Sequence, residues 1–171
     1  MQVNHYVIDA SFARAAGKPE KLRAIRCAQL YSRIYDERHK CVFNKALLIE
    51  WLGAPNVSKA SSTPPGHATV ESKFWLKKMK SRGLFIPDEV KPHELLRKAL
   101  RISKSPATEK EGIAKDLHLL ELALAYDKLI VSFENRLPNY LKNDALLHGF
   151  CRDITWIEDE PDKIPVAKSK P

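Results

Sequence analysis

A chain of 171 residues, 44% hydrophobic and 29% charged, has the apolar content for one buried core and too much of it for a disordered polymer. Its 29 Lys and Arg against 21 Asp and Glu give a formal charge of +8, an excess that draws anionic partners such as nucleic acid. Cys27, Cys41 and Cys151 show neither CxxC nor Cys/His spacing, which argues against a disulfide framework or a zinc centre, and no apolar run approaches the roughly 18 residues of a membrane span.

The amino end, Met1-Gln2-Val3-Asn4-His5, lacks the basic-then-apolar order of a secretory signal, so the expected location is the cytoplasm. Val3 to Ile8 is short, apolar and rich in Val and Ile, and reads as the first strand. Pro19-Glu20 opens a helix carrying Leu22, Ile25, Leu30, Ile34 and Tyr35 at mainly helical spacing. Cys41-Val42-Phe43 is a second strand, followed by a helix from Asn44 to near Gly53. Ala54 to Gly66, rich in Pro and Ser, is a loop. A helix over Ala68 to Ser81 leads to a third strand in Gly83-Leu84-Phe85-Ile86-Pro87.

Pro92 to Arg101 is helical, Ser103-Lys104-Ser105-Pro106 breaks it, and one long helix capped near Thr108 is expected to reach Tyr126. Leu129 to Ser132 is the fourth strand and Ile154-Thr155-Trp156-Ile157 the last. Strands alternating with helices predict one α/β domain over residues 1–160, a three-layer α/β/α sandwich around a parallel sheet. From Pro161 the chain, with Lys163, Pro165, Lys168 and Lys170, is expected to be a disordered tail.

Two acids directly follow apolar strands: Asp9 after Val7-Ile8, and Glu134 after Leu129-Ile130-Val131-Ser132-Phe133. The functional crevice of an open α/β sheet lies outside the carboxyl ends of its strands, which makes both carboxylates candidates. Glu50 is the only charge in Ala46-Leu47-Leu48-Ile49-Glu50-Trp51-Leu52, and a lone carboxylate there is expensive to bury unless paired or bound to a cation. Asp116 precedes Leu117, Leu119, Leu120 and Leu122, at the start of an apolar helical stretch whose partial positive charge favours it. Singly, each has an ordinary alternative: a helix cap for Asp9, a solvent-facing residue for Glu50, a first-turn acid for Asp116 and plain loop surface for Glu134. Gathered together they behave differently. Two carboxylates about 4 Å apart repel by about 4 kcal/mol at an effective dielectric near 20, so a cluster must protonate or bind a cation. An all-oxygen donor set selects Mg²⁺ or Mn²⁺, which lowers the pKa of a bound water and clamps a phosphodiester. No G-x-S-x-G, P-loop or Rossmann glycine motif offers another chemistry.

The segments Val7-Ile8-Asp9-Ala10-Ser11, Glu50 on an early helix, and Asp116-Leu117-His118-Leu119-Leu120-Glu121 running on to Lys128-Leu129-Ile130-Val131-Ser132-Phe133-Glu134-Asn135 resemble the PIN-domain ribonucleases. That family includes many toxins of bacterial and archaeal toxin–antitoxin pairs. The likeness spans most of the chain, from Val3 to Ile157. It implies a PIN-like fold and a Mg²⁺- or Mn²⁺-dependent endoribonuclease, with Asp9, Glu50, Asp116 and Glu134 as catalytic metal ligands. Ser11 takes the place of the small polar residue two after the first acid. Glu134 stands where the family usually has Asp; its longer side chain implies a shifted or water-bridged ligand, and Asn135 is a substitute oxygen donor. For a toxin-like member the resemblance further implies an antitoxin partner and a homodimer.

Lys77-Lys78-Met79-Lys80-Ser81-Arg82 is one basic cluster, and Arg97-Lys98 with Arg101 and Lys104 is another. Ordinarily these are solvated helix faces; beside a phosphodiesterase site they would hold the RNA backbone. Arg14, Lys18 and Lys21 follow Asp9 closely enough to line the same crevice. Ser11, Arg14, Lys77, Lys78 and Arg82 are therefore the expected substrate contacts. Trp51, Phe74 and Trp75 read as core rather than base-stacking platforms, and His118 as a packed or surface histidine rather than a general acid. The alternative to the nuclease is a non-catalytic PIN-like module for RNA or protein contacts, which the Asp-to-Glu departure at Glu134 favours. A third reading is a metal-dependent phosphohydrolase of small phosphate esters.

Overall fold

The computed structural model describes residues 3–17, 21–54, 66–158 and 160–164. The apolar run at the amino end forms β1 (His5–Ile8), whose Tyr6, Val7 and Ile8 are fully buried, as expected of a strand covered on both faces. It pairs with β2 (Lys40–Phe43) on one side and β4 (Leu129–Val131) on the other. β3 (Phe85–Pro87) and β5 (Thr155–Ile157) form the edges, giving a five-stranded sheet of order β3-β2-β1-β4-β5. Every pairing is parallel.

Parallel neighbours require crossovers, and helices supply them: α1 (Ala10–Ala15), α2 (Leu22–Asp36), α3 (Lys45–Leu52), α4 (Val70–Ser81), α5 (Glu94–Ile102), α6 (Ala107–Lys115), α7 (Leu117–Ala125), α8 (Arg136–Asn143) and α9 (Ala145–Cys151). Right-handed crossovers put those before β3 on one face and those after it on the other, the expected three-layer α/β/α sandwich. From β1 the chain moves to β2, and from β4 it moves the opposite way to β5. The topological switch point therefore lies between the carboxyl ends of β1 and β4.

Local chemistry fixes α3 beside this point. Asn44 caps it by accepting from the Leu47 amide at 2.9 Å, and Gly53 ends it at φ 85°. The buried Trp51 indole donates to the Ile8 carbonyl at 2.9 Å, tying α3 to the last residue of β1. The chain then returns to the same helix end. His67 and Ala68 donate to the carbonyls of Glu50 and Trp51 at 2.8 and 2.9 Å. Gly66 makes this approach possible, since a Cβ there would lie 2.2 Å from the Leu52 carbonyl carbon.

Three features differ from the pattern expected from sequence. The single helix expected to run to Tyr126 is broken at Asp116 (φ −100°, ψ 11°) into α6 and α7. The two halves serve different neighbours: α6 packs on α5 and α8, whereas α7 packs on β1, β4 and α3. The tail expected from Pro161 is in part folded: Pro161–Lys163 forms a 3₁₀ turn against α2, and Ile164 is fully buried. An apolar residue at 164 supplies the anchor that the surrounding charges conceal. Helices α1, α8 and α9 carry no long apolar stripe and are apparent only in the structure. Most of the Ala54–Gly66 loop, together with Lys18, the Pro19-Glu20 helix opening and the tail beyond Ile164, lies outside the described residues. Among the described residues no helix is long and apolar enough to cross a membrane.

Candidate active site

Asp9 follows β1 directly, and its backbone amide still donates to Val131 of β4 at 2.9 Å. Its side chain is buried, with only 8% of the residue exposed. Two hydroxyls hold it: Ser11 Oγ and Ser132 Oγ both donate to Oδ2, the latter at 2.7 Å. Ser132 Oγ also accepts from the Glu134 amide at 2.9 Å, and Ser11 Oγ from the Phe133 amide at 3.2 Å. The ends of β1 and β4 are thus laced together around one carboxylate. No donor among the described residues engages Asp9 Oδ1. Ser132 has no counterpart among the residues expected from sequence. Its signal is the register, since Ile8 pairs with Val131 and the next residues along the strands are Asp9 and Ser132.

Asp116 occupies the α6–α7 break, and its side chain caps neither helix. Burial, then the carboxylates of Asp9 and Glu50, and more weakly Glu134, push its pKa up to about 6, against a smaller opposing pull from His118. The four acids expected from sequence therefore share one electrostatic neighbourhood. Glu50, half-buried on α3, lies 3.5 Å from His118 Nε2, an ion-pair distance too long for a hydrogen bond. That nitrogen is buried without a hydrogen-bond partner among the described residues. Burial pulls the imidazolium pKa down, but Glu50 and Asp116 outweigh it and hold it above the usual value. His118 thus belongs to the cluster's electrostatics, beyond the packing role expected from sequence.

Glu134 is differently engaged. Arg136 grips it bidentately, Nε to Oε1 at 2.9 Å and Nη2 to Oε2 at 2.7 Å, and the Arg136 amide adds a third bond at 2.8 Å. This pairing, against a smaller burial effect, lowers the Glu134 pKa. A cavity of about 160 Å³ lies here, lined by Asp116, Glu134, Arg136, Lys115 and Tyr140 among others. A larger one of about 680 Å³ runs along α2 past Gln29, Ser32 and Glu71 and touches none of the four acids.

The expected substrate contacts divide by position. Ser11 is in the site, and Arg14 is exposed one turn along α1 from it. Lys77, Lys78 and Arg82 are not brought to it. Helix α4 runs back toward the amino end of β3, so its last turn lies at the opposite end of the strands from Asp9. There Lys78 and Arg82 lie over the Tyr35 ring, at 5.8 and 4.2 Å. Arg97 is also committed, as the ion-pair partner of buried Glu121 at 2.7 Å. Near the acids stand cations not singled out from sequence: Arg136, Lys115, and Arg23, whose guanidinium lies 4.7 Å over Phe133. Trp51 and Trp75 are core, and Phe74 is 58% exposed on α4.

The donors are of the type a hard divalent ion takes: carboxylate oxygens, with no thiolate among them. Among the described residues, no three His, Cys, Asp or Glu side chains converge on one ion position as they stand. No protein-family model, curated protein or solved structure matches the chain.

Proposed function

We propose that this protein is a Mg²⁺- or Mn²⁺-dependent endoribonuclease of the PIN type. The observation that carries the reading is the coupling of Asp116 to Asp9, Glu50 and Glu134 at the switch point of a parallel sheet. Repelling carboxylates in such a place are relieved by a divalent cation. Asp9, Glu50 and Asp116 would hold it, with Glu134 joining only if Arg136 lets go. When bound, such an ion supplies a water of lowered pKa and neutralises charge gathering on the phosphodiester.

The chain's own residues do the rest. Ser11 and Ser132 fix the Asp9 carboxylate by its Oδ2, leaving Oδ1 without a donor among the described residues. When protonated, His118 places a positive charge beside Glu50 and moderates the repulsion. Arg14, Arg23, Lys115 and Arg136 offer cations at the same end for the RNA backbone. The net charge of +8 brings the polyanion to the protein despite the local acids. RNA is the partner this arrangement suits; an antitoxin partner and a homodimer rest on the sequence resemblance alone.

The Glu134–Arg136 pair and the absence of a ready-made ion cage among the described residues favour a second reading, a PIN-like module that binds RNA without cutting it. Cleavage of labelled single-stranded RNA with Mg²⁺ or Mn²⁺ against EDTA, for wild type and Asp9→Asn, separates the two. The nuclease requires metal-dependent cutting that disappears in the variant. RNA binding without cutting, across several RNAs and both metals, assigns the protein to the second reading.

A further inference from the structure

One face of α8 is built unlike a packing face. Leu137 and Leu141, four apart, are its buried residues. Asn135, Pro138, Asn139 and Lys142 stand at i, i+3, i+4 and i+7, the spacing of a single helical face. They line a cavity of about 300 Å³ whose other wall is Trp156 of the edge strand β5. The cavity also touches Ser132, the residue that holds Asp9, and it shares Glu134 with the smaller cavity that reaches Asp116. Glu134 and Ser132 therefore place it beside the acidic site.

The lining chemistry selects the occupant. Trp156 is half-buried, with an aromatic wall at the pocket and an indole N–H that has no acceptor among the described residues. The side-chain amides of Asn135 and Asn139 and the Lys142 ammonium are likewise without partners there. Against the single Lys142 cation stand the carboxylates of Glu134 and Glu158, so the cavity is poorly suited to a phosphate. A planar, uncharged group with donors and acceptors on its rim fits it. Single-stranded RNA is read in this way, by splaying a base onto an aromatic side chain and hydrogen-bonding its edge. A cavity of this volume is at the small end of ligand pockets, the scale of one base rather than a whole nucleotide chain.

We infer that the Trp156–α8 cavity is a nucleobase subsite, taking one unstacked base next to the phosphodiester held at the acidic site. The inference rests on the ribonuclease reading for the position of the cut, but not for the binding of the base. Trp156 stacks on the base, and Asn135 and Asn139 contact its edge. The enzyme thereby acquires a sequence preference at one nucleotide adjacent to the cut, and single strands are favoured over duplexes.

The test uses the full chain and single-stranded RNA hexamers in EDTA, where nothing is cut. Hexamer binding should quench tryptophan fluorescence in the wild type and not in Trp156→Phe, because Trp51 and Trp75 are buried away from the pocket. Trp156→Ala should weaken binding by roughly 5- to 150-fold, the range for loss of one base–aromatic stack. Asn139→Ala, an exposed change that leaves the core untouched, should weaken binding several-fold and alter the base preferred among hexamers that differ at one position. An abasic nucleotide stepped along the hexamer should weaken wild-type binding by a similar factor at one position and add nothing to Trp156→Ala there, a coupling that misfolding would not produce. Quenching and coupling without any cleavage would support the subsite while removing the nuclease. Metal-dependent cleavage with no quenching, no abasic effect and an unchanged Asn139→Ala pattern would overturn the subsite while leaving the nuclease standing.

Discussion

Asp116→Asn should stabilise the metal-free protein while disabling its site. The fold raises the Asp116 pKa from an ordinary 3.8 to about 6, so the native state prefers the protonated acid. At about 1.4 kcal/mol per tenfold, this difference corresponds to about 3 kcal/mol; solvent screening of a partly exposed group reduces it to about 1–2 kcal/mol. The sign follows from linkage. A group whose pKa is raised on folding contributes stability below its unfolded value, and loses it as pH rises through the folded one. The burden on the fold therefore grows as pH rises from the unfolded value of 3.8 and is complete above about pH 6, and Asn removes it without losing a helix-cap hydrogen bond. His118 titrates in the same sense and loses part of its attraction in the variant, which keeps the gain at the lower end. Urea unfolding in EDTA at pH 3.5 and pH 7.5 provides the readout. The variant should be more stable at pH 7.5 by about 1 kcal/mol and close to wild type at pH 3.5, below the unfolded pKa. A variant less stable at pH 7.5, or one with the wild-type pH dependence, would refute the clustering of these acids.

Arg136→Ala should release Glu134 and tighten Mn²⁺ binding several-fold by calorimetry, with little change in the urea midpoint because Arg136 is exposed; unchanged affinity would show that Glu134 takes no part. Gly66→Ala forces a Cβ to within 2.4 Å of the Trp51 carbonyl oxygen and should cost about 1–3 kcal/mol in urea unfolding, while disturbing the seat of Glu50. Asp144→Ala should cost about 2–3 kcal/mol, since it removes acceptors for the amides of Leu146 and Leu147 and for the Ser105 hydroxyl. Burial opposes the Asp144 charge, but these bonds and that from Ser103 outweigh it and hold its pKa low. Its stability contribution is therefore lost as pH falls through the carboxylate range, and the variant's acid-side unfolding curve should be flatter.

The strands were legible because Val, Ile and Phe crowd into runs bounded by polar residues, and strand alternation with helices implies a parallel sheet. The acids were legible for a related reason: a charge directly after a buried strand, or alone within an apolar helix, needs an explanation. Contacts between distant segments were not. Ser132 meets Asp9 only through the β1–β4 register, and Arg97 reaches Glu121 only once α5 packs near α7. The basic run Lys77–Arg82 illustrates the opposite failure. Its charge is plain in sequence, but helix direction carries it to the far end of the strands. The Asp116 break was hidden because Ala107–Ala125 is helical almost throughout, and only the change of packing partner distinguishes its halves.

The most direct test of the central claim is a Mn²⁺ titration followed by paramagnetic resonance, on wild type and on Asp9→Asn. The account predicts at least one Mn²⁺ held per wild-type chain, competed by Mg²⁺, and weakened at least tenfold in the variant. Absence of Mn²⁺ binding by wild type, or equal binding by both proteins, would contradict it.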